Sequence, residues 1–154
     1  MTVRVIGAPA SGKTFLRDLL GKALNVPTYS IDDERLALME AFELWPSGRD
    51  HLAWSSLRQK VAQGPCVVET QGVSPHDDLE GFTVLCVASH DVRRKRLEER
   101  VQNGYRFAAR WDRAYAYRLL SSTAPTHGDV VYDGNDPQPV VEACQTYLNG
   151  VLTC

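Results

Sequence analysis

Residues 7–14 read Gly7-Ala8-Pro9-Ala10-Ser11-Gly12-Lys13-Thr14, and this stretch decides how the chain folds. It fits the phosphate-binding pattern G-x-x-x-x-G-K-[ST] at every fixed position. A β-rich run at residues 2–6 precedes it, and apolar residues at helical spacing follow it over residues 15–24. The sequence therefore predicts a strand, a glycine-bearing loop and a helix N-terminus, which together form a cradle for anions.

The fixed positions of the loop each have a chemical role. Gly7 and Gly12 permit backbone angles and close approaches that a side chain would obstruct. Lys13 supplies a positive charge for β- and γ-phosphates, and the Thr14 hydroxyl can bind Mg²⁺. We therefore expect the loop to bind a nucleoside triphosphate together with Mg²⁺.

Composition limits the classes of protein to consider. The chain has 154 residues, 44% of them hydrophobic, which suits a single domain with a full core. Its formal net charge is −2, and nine of its 17 Lys and Arg lie between Arg93 and Arg118. This uneven distribution indicates a local anion-binding device and not a protein that coats nucleic acid.

The cysteines and the apolar runs bear on the compartment. Cys66, Cys86, Cys144 and Cys154 show no paired metal-ligand spacing, so no structural zinc is expected. Cys66 and Cys86 lie in or beside apolar runs, where free thiols behave as small hydrophobes. No signal peptide precedes the first strand, and no apolar run approaches the ~18 residues of a membrane span. We therefore expect a reduced, cytoplasmic protein without membrane contact.

Strand-like and helical runs alternate along the whole chain. Further strands are predicted at residues 27–31, 66–69, 82–88 and 129–132, and helices at 33–44, 50–63, 89–102, 107–120 and 137–148. Such alternation predicts an α/β fold in which helices cover both faces of a parallel sheet. Ligands of such sheets bind at the carboxyl ends of the strands, where the loop, Asp32–Asp33, Glu69–Gly72 and Asp133–Asn135 should gather.

Three carboxylates follow strands beside the loop. Asp32 can accept the proton of an attacking hydroxyl, or it can simply cap the next helix, whose dipole Asp33 would favour. Arg35, one turn later, can bind a phosphate or hold the carboxylate. Glu69 occupies the position of a Walker B acid, where it can order Mg²⁺-bound water, bind substrate or satisfy loop amides.

Arginines recur at helical spacing in two groups of three, separated by a break at Asn103-Gly104. Phosphoryl transfer spreads negative charge over three oxygens, and arginine clamps stabilise that charge. Two arginine-bearing helices around a break suit a lid, approximately residues 93–118, that closes over nucleotide. A solvated face paired with glutamates is the alternative. The six are Arg93, Arg96, Arg100, Arg106, Arg110 and Arg113.

These motifs together resemble the small P-loop kinases, which include adenylate, shikimate and gluconate kinases and the polynucleotide 5′-hydroxyl kinases. Asp32-Asp33-x-Arg35 is similar to the D-D-x-R run of polynucleotide 5′-kinase domains, which implies that Asp32 is the general base and Arg35 assists in phosphate binding. The R-x-x-x-R run is similar to the adenylate-kinase lid, which implies that Arg96 packs on adenine and Arg100 contacts the transferring phosphoryl.

The run Glu69-Thr70-Gln71-Gly72 departs from two branches of this group. Adenylate kinases usually carry D-G-[FY]-P at this strand end, and shikimate kinases carry a glycine triplet. The departure argues against both classes.

The resemblance implies a three-layer P-loop kinase fold in one domain, residues 1–154, with a five-stranded parallel sheet in the order 2-3-1-4-5 and an arginine-rich lid. It implies a kinase that uses ATP and Mg²⁺. The expected acceptor is a hydroxyl of a nucleoside, nucleotide or nucleic acid, such as a 5′-hydroxyl end or a hydroxymethylated DNA base. The alternatives are a small-metabolite kinase on the same fold and a nucleotide-dependent switch protein without an acceptor.

The residues expected to form the site fall into groups by role. Those expected to take part in catalysis are Lys13, Asp32, Arg35 and Arg100. Those expected to bind nucleotide are Gly7, Ala10, Ser11, Gly12, Lys13, Thr14 and Arg96. Those expected to bind the acceptor are Asp33, Glu69, Arg106 and Arg110, and Thr14 and Glu69 are the expected metal ligands.

Overall fold

The computed structural model describes residues 1–42, 49–103 and 118–151. In these ranges the strands are β1 (Thr2–Gly7), β2 (Thr28–Ser30), β3 (Cys66–Glu69), β4 (Phe82–Cys86) and β5 (Val130–Tyr132). The helices are α1 (Lys13–Leu24), α2 (Ile31–Phe42), α3 (Asp50–Val61), α4 (His90–Asn103) and α5 (Gln138–Val151). Residues 118–120 are also helical.

The five strands form one parallel sheet in the order β2-β3-β1-β4-β5. This confirms both the strand number and the order predicted from the sequence. Glu69 at the end of β3 lies opposite Ser30 of β2 and Val5 of β1. Gly7 at the end of β1 lies opposite Cys86 of β4. The carboxyl ends of the strands therefore meet at one edge of the sheet, beside the phosphate-binding loop.

Helices cover both faces of the sheet, which gives three layers. On one face, side chains of α1 and α5 pack against β1, β3 and β4 in a cluster that includes Leu16, Val67 and Val84. On the other face, α2 and α3 contribute Ile31, Trp54 and neighbouring residues to a second cluster. The central strands are buried on both faces, which explains why they read as continuous apolar runs.

The second helix begins two residues earlier than predicted. The Asp32 N–H donates a hydrogen bond to Ser30 Oγ at 3.2 Å, so Ser30 caps α2 and Asp32 lies within its first turn. The alternative in which Asp32 caps the helix is therefore wrong. At α4, Ser89 caps the helix, because the Val92 N–H donates to Ser89 Oγ at 3.3 Å.

Three further predictions meet the structure only in part. The predicted helix 107–120 lies outside the described residues except for residues 118–120, which are helical. Cys66, Cys86 and Cys144 are buried free thiols, and Cys154 lies outside the described residues. No helix within the described ranges is both long enough and apolar enough to cross a bilayer.

Candidate active site

A cavity of about 470 Å³ opens at the carboxyl edge of the sheet, with loop residues 9–15 on its wall. Two groups of side chains face each other across the loop. The β2 half consists of Asp32, Arg35, Glu69 and Gln71, and the β5 half consists of Arg96, Arg100, Leu119, Tyr132 and Gly134. The cavity thus collects most of the residues that the sequence singled out.

The loop adopts backbone conformations that explain its glycines. Gly7 has φ 155°, and a Cβ there would lie 2.3 Å from the Cys86 carbonyl oxygen. Gly12 has φ 103°, and Ala10 has φ 62°, both in the left-handed region. The Ala10 side chain is buried in a cluster with Leu97 and Leu120. The loop is therefore held open as a curved cradle of backbone amides.

Lys13 places a cation inside this cradle. Its side chain is buried, and Nζ donates to the Ala8 carbonyl oxygen at 2.9 Å. Burial lowers the pKa of Lys13, while the carboxylates of Glu69 and Asp32 oppose the shift. An ammonium with a single neutral hydrogen-bond partner among the described residues is suited to bind a polyphosphate.

Glu69 connects the loop to α1. The Thr14 hydroxyl donates to Glu69 Oε1 at 3.0 Å, and Arg17 Nη1 lies 3.2 Å from Glu69 Oε2. Burial raises the pKa of Glu69, and the charges of Lys13 and Arg17 oppose that rise. Arg17 was not singled out from the sequence, although its position one turn after Lys13 on a helix places both on the same face.

The residues beside the loop fit a magnesium ion. Ser11 Oγ is buried and makes no hydrogen bond within the described residues, and buried Glu69 Oε2 accepts none there although Arg17 Nη1 lies 3.2 Å away. Carboxylate and hydroxyl oxygens are the ligands that Mg²⁺ prefers. Thr14 and Glu69 would hold the ion, as the sequence predicts. The described residues contain no group of three or more His, Cys, Asp or Glu that could hold a metal.

Arg35 joins two acids in the β2 half. Its Nη1 donates to Asp32 Oδ1 at 3.1 Å, and its Nε and Nη2 donate to the two oxygens of Asp50 at 2.7 and 3.1 Å. Trp54 Nε1 also donates to Asp50, at 3.2 Å. The hydrogen bonds from Arg35 lower the pKa of Asp50. Of the two roles considered for Arg35, the structure shows that it holds the carboxylate.

Asp33 lies outside the cavity, contrary to its predicted place in the acceptor site. Its side chain is 46% exposed, and one oxygen lies 3.4 Å from Arg17 Nη1. The reason is that Asp33 follows Asp32 on a helix, so the two side chains diverge by about 100° around the helix axis.

The arginines of α4 bind the loop from the opposite side. Arg96 Nη1 donates to the Ala10 carbonyl oxygen at 3.0 Å. Arg93 donates to the carbonyl oxygens of Pro9 and Leu119 at 2.9 and 3.2 Å, so it holds the backbone and does not line the cavity. Arg100 lines the cavity. The remaining predicted lid arginines, Arg106, Arg110 and Arg113, lie outside the described residues.

Comparisons of sequence and structure place this arrangement among known folds. No protein-family model and no curated protein matches the chain. Among solved structures, a candidate kinase from Chloroflexus aurantiacus is similar with a TM-score of 0.72 at 20% identity, over 95% of this chain and 97% of that one. The shikimate kinase of Aquifex aeolicus has a TM-score of 0.54 at 20% identity, over 99% of both chains.

A gluconokinase from Sinorhizobium meliloti is also similar, with a TM-score of 0.61 at 15% identity, over 97% of this chain and 92% of that one. The chain has the fold of the small P-loop kinases. In this fold the phosphate-binding loop follows the central strand, as it does here. The fold does not separate this chain from shikimate kinases, although residues 69–72 depart from their pattern.

Proposed function

We propose that the protein is a kinase that transfers the γ-phosphoryl group of ATP to a hydroxyl of a small molecule. One observation carries the proposal: the Asp32 carboxylate, held by Arg35, lines the same cavity as Lys13 and Thr14. A phosphate-binding loop and an oriented base at the same edge of the sheet are the parts that phosphoryl transfer to a hydroxyl requires.

A small acceptor is favoured over a nucleic acid. The similar structures include a shikimate kinase and a gluconokinase, both named for small metabolites. These observations support the small-metabolite alternative, whereas the nucleic-acid acceptor suggested by the D-D-x-R run gains no support from them.

Each side chain of the cavity has a role in this proposal. Lys13 and the loop amides hold the phosphate tail, and Thr14 and Glu69 would hold Mg²⁺, whose charge neutralises the phosphate oxygens. Asp32 accepts the proton of the acceptor hydroxyl. At the same time the hydroxyl oxygen of the acceptor attacks the γ-phosphorus of ATP, and the bond between that phosphorus and the departing ADP oxygen breaks. Arg100 stabilises the negative charge that spreads over the transferred group.

Removing the base tests the proposal. Asp32→Asn keeps the shape of the side chain but cannot accept the proton, so we expect transfer to fall about 10²–10⁴-fold. Binding of ATP should be retained, because the loop is untouched. The measurement is transfer of label from [γ-³²P]ATP to the small-molecule fraction of a cell extract, with ATP affinity followed by calorimetry.

The matched control is Asp78→Asn. Asp78 is an exposed acid that pairs with Arg58 at 2.8 Å and does not line the cavity. This variant should transfer label like the wild type. If Asp32→Asn consumed ATP at the wild-type rate, the base would be unnecessary and a switch protein without an acceptor would be the better description.

A further inference from the structure

The geometry points to an acceptor that is neutral or cationic, such as a polyol or an amino sugar, and not a carboxylate or a phosphate ester. This inference rests on the proposed function and narrows its substrate class. It follows from the charges around the β2 half of the cavity and from the hydrogen bonds that already occupy the arginine there.

The acceptor belongs in the β2 half because Asp32 lies there. The phosphate-binding loop follows the central strand β1, so the two halves lie on either side of the transferred group. Leu119, Tyr132 and Gly134 give the β5 half an apolar surface that suits a base. The hydroxyl that gives its proton to Asp32 must therefore approach from the opposite half.

Among the described residues, Arg35 is the cation that lines this half, and each of its three guanidinium nitrogens already donates a hydrogen bond. All three guanidinium nitrogens donate to carboxylates, two to Asp50 and one to Asp32. The paired bonds to Asp50 have the bidentate geometry that makes arginine–carboxylate pairs strong. An acidic acceptor would have to compete with two fixed carboxylates for the same cation.

Asp50 is fixed by its surroundings and cannot easily release Arg35. Trp54 is almost fully buried and donates from Nε1 to Asp50 Oδ2 at 3.2 Å. The Arg35 side chain is only 14% exposed. The ion pair is thus part of the packing between α2 and α3. The charge of Arg35 is therefore neutralised by the fold itself, before any ligand binds.

The second arginine near this half is neutralised in the same way. Arg17 lies 2.7 Å from Asp18, 3.4 Å from Asp33 and 3.2 Å from Glu69. Among the described residues that line the β2 half, the carboxylates of Asp32 and Glu69 outnumber the one cation, Arg35. An anionic acceptor would meet like charges, whereas a protonated amine would be attracted.

Separating possible acceptors by charge tests the inference. The small-molecule fraction of a cell extract is divided on ion-exchange resins into anionic, neutral and cationic pools, and each pool is incubated with the full-length protein, Mg²⁺ and [γ-³²P]ATP. We expect the neutral or cationic pool to accept label at least about tenfold more than the anionic pool, since like-charge contacts disfavour binding of an anionic acceptor.

Label confined to the anionic pool would overturn the inference and leave the proposed kinase function intact. A protein that binds ATP but labels none of the three pools would contradict the proposed function itself, and the inference would fall with it. The two failures are therefore distinguishable in one experiment.

The variant Asp50→Asn tests the residue that carries the inference. It removes one of the two charges that neutralise Arg35, so the ratio of anionic to neutral label should rise relative to the wild type. Asp78→Asn removes an equal charge outside the cavity and should leave the ratio unchanged. A folded Asp50→Asn protein with an unchanged ratio of anionic to neutral label would contradict the inference. If that variant does not fold, the ratio measured with the wild type alone tests the inference.

Discussion

Single residues of the phosphate-binding loop determine whether it can accept a polyphosphate. Gly12 has a left-handed φ of 103°, and a Cβ there would lie 3.4 Å from Arg96 Nη1. The same Arg96 nitrogen donates to the Ala10 carbonyl oxygen, which keeps that oxygen out of the cradle. A side chain at residue 12 would therefore strain the backbone, while its Cβ would make only ordinary van der Waals contact with Arg96.

The variant Gly12→Ala should bind ATP more weakly while the protein stays folded. A left-handed alanine costs about 1–2 kcal/mol, which corresponds to roughly a tenfold loss of affinity if the loop relaxes away from the bound geometry. Calorimetric titration with Mg²⁺–ATP measures the loss. Gly150→Ala is the control, since this exposed helical glycine has open space around it and its replacement should not affect binding. An unchanged affinity in Gly12→Ala would contradict the proposed conformational role.

Local pattern predicted the residues of the loop and not their partners. The fixed spacing of Gly7, Gly12, Lys13 and Thr14 was enough to place the cradle, because strand, loop and helix are contiguous in the chain. Asp50 could not be predicted from the sequence, since it lies 15 residues from Arg35 and meets it only when α2 packs on α3. Long-range ion pairs of this kind have no signature in the sequence.

At the scale of elements, the packing of α2 on α3 shapes the β2 half of the cavity. Arg35 of α2 binds Asp50 of α3, and a second set of polar contacts joins the same two helices. In this second set, buried Glu34 of α2 accepts hydrogen bonds from Ser56 and Lys60 of α3. The orientation of Asp32 therefore depends on contacts made between two helices and not only on its own strand end.

The pair between Arg35 and Asp50 should make stability depend on pH. Because Arg35 lowers the pKa of Asp50 in the folded state, the stabilisation is fully present above the unfolded pKa, about 4. This stabilisation is lost as the pH falls through the lower pKa that Asp50 has in the folded state. Urea unfolding of the wild type and Asp50→Asn should show a stability gap that is constant from neutral pH to about pH 5 and narrows in stronger acid. A gap that stays constant down to pH 3 would contradict this reading of the pair.

The elements themselves were largely predictable. Apolar runs identified the central strands β1, β3 and β4, because parallel strands buried on both faces carry few polar residues. The edge strands β2 and β5 have three residues each and are partly exposed, and they were identified by their place between predicted helices. The start of α2 was misplaced by two residues, since Ser30 caps the helix from within the predicted strand. A serine at a strand end gives no indication that the helix begins at once.

At the scale of the whole molecule, the cavity connects elements from both sides of the sheet. Arg93 and Arg96 of α4 hold the loop, while Glu69 at the end of β3 receives the Thr14 hydroxyl. A ligand that fills the cradle would contact groups supplied by β1, β3, α1 and α4. Its binding free energy should therefore stabilise the folded domain against unfolding.

Nucleotide binding should raise the melting temperature. At a concentration of 100 times its Kd, a ligand adds about 2.7 kcal/mol of stability, which corresponds to roughly 5–10 °C for a domain of this size. Thermal unfolding with Mg²⁺–ATP measures the shift. AMP lacks the phosphates that Lys13 would bind, so at the same concentration it should raise the melting temperature by less than ATP does. Equal shifts with ATP and AMP would show that the polyphosphate tail is not the group recognised.

The most direct test of phosphoryl transfer from the loop is the rate at which label from [γ-³²P]ATP reaches the acceptor in the wild type and in Lys13→Ala. We predict that the variant transfers label at least about 100-fold more slowly, because it lacks the buried cation that stabilises the transferring phosphate. Lys22→Ala, which removes an exposed lysine of the same helix, should keep the wild-type rate. Transfer by Lys13→Ala at the wild-type rate would contradict the proposed function.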